Sequence, residues 1–183
     1  MSENKEIDSL RVAVCGDAAM VRVGGRGSFK MGSSLKGFAT AAFEQRGCRR
    51  LLFDMEECVT MDSTFMGVIA GLALRLRRAG SGRVALINLS PKTSALLETL
   101  GLNRLIDAYG CGDAPQELGE CLGRLREMPA MDLKDDGKDK GLERMLTAHE
   151  DLVRAAPENS ERFRDVIGYL RKDMDSAGDR NDA

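Results

Sequence analysis

The segment Leu51–Leu72, with the sequence LLFDMEECVTMDSTFMGVIAGL, carries the clearest structural signal in the chain. It opens on a short apolar run bounded by charge, which is typical of a buried strand. Asp62-Ser63-Thr64 then begins a segment in which Phe65, Ile69 and Leu72 recur at helical spacing. A buried strand, a connection and an amphipathic helix in this order predict one unit of an α/β sheet with a parallel crossover.

On both sides of this segment, sequence patterns typical of strands and of helices alternate along the chain. The predicted strands are Arg11–Cys15, Ala19–Gly24, Arg50–Met55, Arg83–Leu89 and Leu105–Ala108. The predicted helices begin at Ser33 or Ser34, at Asp62 or Ser63, at Ser90-Pro91 and at Pro115. The turn Gly16-Asp17 joins the first two strands into a hairpin, and the later crossovers predict parallel pairing. We therefore expect an α/β fold with a mixed sheet.

The C-terminal third differs in composition from the rest. We predict a domain over residues 8–127, a polar and solvated linker over 128–140, a helical appendage over 141–175 and a disordered tail over 176–183. Two amphipathic helices cannot close a core alone, so they must pack on the domain, on a second copy or on a partner. We expect the domain core to be complete without them. A residual apolar edge should favour a homo-oligomer; its members are Leu142, Met145, Phe163 and Ile167.

Composition excludes several classes of function. The formal net charge of −2 disfavours general binding to nucleic acid, and no apolar run is long enough for membrane insertion. The polar first residues do not form a signal peptide, and five scattered cysteines indicate free thiols, so we expect a cytoplasmic protein. The sequence shows no metal or cofactor motif and no nucleophile–base pair, so we expect no catalytic residues, no cofactor and no enzyme.

Ser63 is the candidate functional residue. A hydroxyl at a helix N-terminus has backbone N–H groups beside it, and the helix dipole favours an added anion there, so a phosphate on Ser63 could be held. Such a phosphate would also repel an acidic partner or Asp62. The alternative is purely structural, because Asp-Ser-Thr before an apolar run is an ordinary capping sequence. The residues alone leave both interpretations open, and they favour the structural one.

A resemblance to a known family changes this balance. The segment MDSTFMGVIAGLALRLRRAGSGRVALINLSPKTSALLETLGLNRLIDAY resembles the STAS family, and the likeness covers about residues 10–127. Its most specific parts are Asp62-Ser63 followed by Gly67, and the Gly-Leu-x-x-Leu-Ile pattern at Gly101–Ile106. The family includes bacterial anti-sigma factor antagonists and the cytoplasmic tails of sulfate transporters. The resemblance implies a STAS-like sheet with helices packed mainly on one side.

The resemblance also implies where the site lies. In antagonists of this family the serine after the aspartate is phosphorylated, which makes Ser63 the expected phosphoacceptor and Thr64 the less favoured one. The expected partner-binding residues are Gly25, Ser28, Asp62, Thr64, Phe65 and Met66.

The chain departs from the family pattern at two of these positions. Phe65 replaces a small residue, and Ser28 replaces an aspartate of the partner-facing surface. Both changes should alter the choice of partner. From helical spacing we expect Phe65 to pack inward and Met66 to be the exposed contact.

These implications define the expected partners and a rival function. The partners are a serine kinase of the GHKL type, which is itself the anti-sigma factor, and a phosphatase of the PP2C type. Binding would end when Ser63 is phosphorylated. The rival is a scaffold or accessory STAS subunit, in a stressosome-like particle or a lipid-transport assembly, in which Ser63 is never modified.

Two further signals have plain structural interpretations. Gly24-Gly25-Arg26-Gly27 suggests a phosphate-binding loop, but the P-loop lysine is missing, and a turn that needs positive φ is the favoured explanation. His149 lies among the apolar positions of the first appendage helix, and no cysteine or carboxylate cluster is in register with it. We therefore expect it to serve packing rather than metal binding.

Overall fold

The computed structural model describes residues 8–80, 82–116, 119–134 and 137–181, and it describes side chains for all of these except 119–121 and 177–181. The described strands are β1 (Ser9–Cys15), β2 (Ala18–Gly27), β3 (Arg50–Asp54), β4 (Cys58–Met61), β5 (Arg83–Leu89) and β6 (Asp107–Gly110). The described helices are α1 (Gly32–Gln45), α2 (Ser63–Arg78), α3 (Pro91–Thr99), α4 (Gly119–Glu127), α5 (Lys138–Ala155) and α6 (Asn159–Asn181).

The sheet is mixed, as the sequence predicts. Strands β1 and β2 form an antiparallel hairpin, and the remaining pairs are parallel, in the order β1-β2-β3-β5-β6. Strand β4 lies off this path and pairs in parallel with the end of β2, where the register shifts between Gly25 and Arg26. Sequence reasoning treated β4 as a connection, because a four-residue strand that carries the exposed Val59 has no clear periodicity.

Alternation along the strands divides the core into two layers. Val21 and Phe53 belong to the large cluster beneath α1, α2 and α3, whereas Met20 and Leu52 point to a smaller cluster on the other face. Leu125 of α4 completes the smaller cluster. Helices therefore lie mainly on one side of the sheet, which confirms the expected fold class.

Of the two C-terminal helices, α5 packs onto α2 and α6 packs onto α5, so much of their apolar surface is covered within this chain, although Val166 of α6 stays exposed. Ala148, Leu152 and Phe163 join the large core cluster. The expectation that Phe163 forms an exposed edge is therefore wrong, because it is only 7% exposed. That residues 8–127 fold without these helices stays a prediction. Helix α6 also runs through positions 176–181, where a tail was expected.

The polar segment before α5 is attached to the body of the fold. Met131 N donates to Leu10 O at 2.8 Å, and Lys134 N donates to Ser34 Oγ at 2.8 Å. Met131 and Leu133 are partly buried against the large cluster. The other described residues of 128–140 are exposed, so these two apolar side chains are the exceptions in a polar segment, and composition alone does not single them out.

The cysteines are of two kinds. Cys48, Cys58 and Cys111 are free, and only Cys111 is exposed. Cys15 is disulfide-bonded, so the expectation of free thiols fails at that position. The side chain of Cys121 lies outside those described.

Candidate functional site

Asp62 joins the end of β2 to the start of α2. Its carboxylate caps α2 by accepting from Phe65 N at 2.8 Å, and its second oxygen accepts from Phe29 N at 2.9 Å. Its own backbone N–H donates to Gly27 O at 2.9 Å. A short polar side chain at an N-cap satisfies backbone donors that the helix leaves unpaired. Asp62 therefore fixes the loop after β2 against the N-terminus of α2.

Ser63 is the first residue of α2, and its hydroxyl is in contact with helix α5. Ser63 Oγ lies 3.0 Å from His149 Nε2, and His149 Nδ1 lies 2.8 Å from Met145 O. A carbonyl oxygen only accepts, so Nδ1 carries the proton; in the neutral imidazole Nε2 then accepts from the Ser63 hydroxyl. His149 is 4% exposed, and its ring packs edge-on against Phe163, with centroids 5.0 Å apart.

The structure separates the neighbours of Ser63 from the solvent. Phe65 is fully buried, as expected, and an added Cβ at Gly27 would overlap its ring. Met66 is also buried, at 2% exposure, so the expectation of an exposed contact is wrong. Thr64 is buried as well. The helix has apolar neighbours on both sides here, because α5 covers the face that periodicity assigned to solvent.

Gly25 and Ser28 occupy two different surroundings. Gly25 has φ +69° at the register shift of β2, close to Asp8, and its N–H donates to Glu57 O at 3.0 Å. The positive φ supports the structural interpretation of this glycine segment, although it forms an irregularity of the strand rather than a turn. Ser28 is buried next to Phe29, whose N–H donates to Asp62; we call the two Asp62 hydrogen bonds, to Phe29 N and to Phe65 N, the Asp62 clamp. The Ser28 hydroxyl makes no hydrogen bond within the described residues.

Helix α5 approaches α2 through two glycines one turn apart. An added Cβ at Gly67 would overlap the backbone carbonyl of Ala148, and one at Gly71 would overlap the carboxylate of Asp151. Ser63, Gly67 and Gly71 are spaced four apart and share one face of α2. The absence of side chains at the two glycines lets the α5 backbone reach this face.

Asp151 is the acidic group at this interface. It is 9% exposed, and burial raises the pKa of its carboxyl above the ordinary value, although Arg154 and Lys36 oppose the shift. Arg154 Nη1 donates to Asp151 Oδ1 at 2.7 Å from the same helix. The carboxylate therefore has a partner on α5 and not on α2.

The Ser63–His149 pair was not foreseen from the sequence. It has the distance expected of a nucleophile and a base, so the argument that such a pair is missing is wrong. Neither residue lines any of three grooves formed by described residues, one of which, about 760 Å³, lies between Phe29 and Leu142. Among the described residues, no His, Cys, Asp and Glu group could hold a metal ion.

Sequence reasoning missed His149 and Ala148 as members of this site. They lie about 80 positions from α2, and a histidine within an apolar stripe gives no signal of the residue it will contact. The packing interpretation of His149 is supported by its contact with Phe163. Within the described part of the chain, no helix is both long and apolar enough to cross a bilayer.

Comparisons with known proteins agree with this architecture. A family model described as the STAS domain matches residues 9–114. A crystal structure from Thermotoga maritima, described as a candidate anti-sigma factor antagonist, is 18% identical at a TM-score of 0.51; the match covers 64% of this chain and 95% of that one. The anti-sigma factor antagonist SpoIIAA in its unphosphorylated form is 21% identical at a TM-score of 0.47, with 66% and 100% covered. Its phosphorylated form, from Bacillus, is 22% identical at a TM-score of 0.47, with 64% and 100% covered.

Proposed function

Because this chain belongs to the STAS domain family, we propose that it is a regulatory protein-interaction module of the anti-sigma factor antagonist type. Phosphorylation of Ser63 by a partner serine kinase switches its binding. The kinase, of the GHKL type, is the anti-sigma factor, and a phosphatase of the PP2C type restores the unmodified form. This chain contributes a hydroxyl and a docking surface rather than catalysis.

The observation that carries the proposal is the position of Ser63. It is the first residue of α2, immediately after the Asp62 clamp that holds the loop after β2. The helix N-terminus favours an anion, so a phosphate there is stabilised by the dipole while its charge adds to that of Asp62. A partner that contacts the loop and the helix together senses this change.

The candidate partner surface follows from the same geometry. Asp62 and Phe29 lie at its edge, and Phe29 is an exposed aromatic side chain in the loop after β2. Of the residues expected from the sequence, Thr64, Phe65 and Met66 are buried, and the Phe65 ring packs against Gly27 of β2, so these side chains are not presented in this conformation. Gly25 shapes the end of β2, and the buried Ser28 presents no side chain.

The switch is tested on protein purified from its own host. Intact mass should reveal a species heavier by one phosphate; Ser63→Ala should remove it and Thr64→Val should retain it. A phosphate that survives Ser63→Ala, or no phosphate in any growth condition, would refute the switch.

Binding gives a second test with a matched control. Ser63→Asp places a negative charge at the start of α2, and Ser160→Asp does the same near the start of α6, where the side chain is exposed. We expect Ser63→Asp to abolish binding to the GHKL-type kinase of the host and Ser160→Asp to leave it unchanged. Equal affinities of the two variants would contradict the proposal.

The rival function has one observation in its favour. Because Ser63 Oγ contacts the buried His149, the hydroxyl is not freely presented to a kinase in this conformation. A constitutive scaffold or accessory subunit would need no such access. Full partner binding by both Ser63→Ala and Ser63→Asp, with no phosphate in host-derived protein, would favour this role.

A further inference from the structure

Helix α5 covers the face of α2 on which Ser63 lies, over three successive positions. His149 contacts Ser63, the Ala148 carbonyl lies on Gly67, and the Asp151 carboxylate lies on Gly71. The family match ends at residue 114, and α5 begins only at Lys138. The cover is therefore an addition to the part of the chain that the family defines.

The contact at Ser63 engages the hydroxyl that a kinase would have to reach. The His149 ring lies 3.0 Å from Ser63 Oγ, and His149 itself is buried against Phe163. A phosphoryl group needs an open line to Oγ, and the His149 ring closes that line while Oγ points at Nε2. Transfer with α5 docked requires the partly exposed Ser63 side chain to turn away from His149, so docked α5 opposes phosphorylation of Ser63.

We infer that α5 is a removable cover of Ser63, so that the C-terminal helices of this chain compete with the partner for the α2 face. The inference rests on the proposed function and adds its regulation. Whatever holds α5 in place slows phosphorylation and weakens partner binding, and phosphate on Ser63 in turn holds α5 away, because linked equilibria are reciprocal. The occupant of the face is α5 itself.

The polar contacts described at this interface are consistent with release. Asp151 pairs with Arg154 on its own helix, and His149 donates to the Met145 carbonyl on its own helix, so both keep these partners when α5 leaves. When α5 leaves, Ser63 Oγ and His149 Nε2 each form a hydrogen bond with water instead of with each other. Release therefore strands neither side chain without a partner.

The cover is tested by the reactivity of a thiol placed at position 63, with N-ethylmaleimide as the probe and site-resolved mass spectrometry as the readout. The full chain carries Ser63→Cys alone, with Gly67→Ala, or with Gly37→Ala. An added Cβ at Gly67 overlaps the α5 backbone, whereas one at Gly37 in α1 meets open space. Both changes are glycine to alanine within a helix, so the pair is matched in helix propensity.

The native cysteines report on the folded state in the same experiment. Cys111 is exposed and should react at once. Cys48 and Cys58 are buried, and burial raises the pKa of both thiols, so they should stay unlabelled while the body is folded.

We expect Gly67→Ala to speed labelling at position 63 by roughly tenfold or more through local opening, with Cys48 and Cys58 still protected. Gly37→Ala should leave the rate unchanged. Labelling at position 63 in the parent as fast as at Cys111 would overturn the cover, as would equal rates in all three chains.

A lock provides the opposite test if Gly67→Ala fails to fold. An added Cβ at Gly71 would lie 3.6 Å from Asp151 Cβ, which is within the range of a disulfide. Gly71→Cys and Asp151→Cys are added to the chain that carries Ser63→Cys, and peptide mapping verifies the disulfide between positions 71 and 151. We expect this disulfide to suppress labelling at position 63 and its reduction to restore the labelling. Equal rates of labelling at position 63 in the oxidised and the reduced protein would refute the inference. The labelling experiment needs no kinase, so it tests the cover separately from the proposed function. Labelling can refute the cover while host-derived protein still carries phosphate on Ser63. Conversely, labelling can support the cover while host-derived protein carries no phosphate.

Discussion

The fold buries polar groups in two places of opposite character. Within the sheet, Arg22 of β2 is 3% exposed and Asp54 of β3 is 1% exposed; Arg22 Nε donates to Asp54 Oδ2 at 2.9 Å. Its other nitrogens reach Glu56 and Glu57 at 2.8 and 2.9 Å, and Asn88 Nδ2 donates to Asp54 Oδ1 at 2.8 Å. At the α2–α5 interface, by contrast, the buried polar contact between the described side chains of the two helices is the hydrogen bond between Ser63 and His149.

The difference indicates which contacts can separate. A buried charge that loses its partner is left uncompensated, so the Arg22 cluster can only break together with the sheet. Serine and histidine exchange one hydrogen bond for water at a small net cost. Opening the sheet thus leaves a buried charge without its partner, whereas separating α5 from α2 breaks apolar packing and the Ser63–His149 hydrogen bond. Substitutions in each of the two regions should therefore differ in how much they lower the free energy of unfolding.

Asp54→Ala should have the largest effect. It leaves Arg22 buried with only the half-exposed Glu56 and Glu57, so the free energy of unfolding should fall by about 3 kcal/mol or more. Asp17→Ala breaks the exposed Arg50–Asp17 pair and serves as the control, with a loss below about 1 kcal/mol. Urea denaturation of both variants measures the difference. Similar losses of unfolding free energy would mean that breaking the buried Arg22–Asp54 pair costs no more than breaking an exposed pair.

Met66→Ala should come next. Because Met66 is 2% exposed in the large core cluster, its truncation leaves a cavity and should cost about 2–5 kcal/mol. Thermal unfolding followed by circular dichroism should show a clearly lower Tm than that of the parent. An unchanged Tm would instead mean that Met66 is exposed in solution.

Asp151→Asn should have the smallest effect, visible mainly in the pH dependence of stability. Burial raises the folded pKa of this carboxyl, so between about pH 4 and that raised pKa the folded state binds more protons than the unfolded state. Stability from this group therefore falls as the pH rises through that window, which is the reverse of a salt-bridged aspartate. The asparagine variant should lose this slope, with a change within about 1 kcal/mol. An identical pH profile would contradict the assignment.

Much of the fold could be predicted from local sequence, and the site only in part. The strand pattern around Leu52 and Phe53 and the cap at Asp62 are encoded within a few residues, so periodicity and capping chemistry identify them. The contact between Ser63 and His149 depends on how two amphipathic helices choose a surface, and periodicity names the stripe but not its partner. Met66 was assigned to solvent for the same reason.

Hydrogen exchange of the full chain measures whether α5, which covers Ser63, opens separately from the sheet. We expect amides of α5 to exchange through openings that leave β2, β3 and β5 protected, because local units open at lower free energy than the whole fold. Gly67→Ala should speed exchange in α5 and α6 alone, and Gly37→Ala should not. Amides of α5 that exchange as slowly as those of the strands, and that respond together with them in Gly67→Ala, would contradict the account.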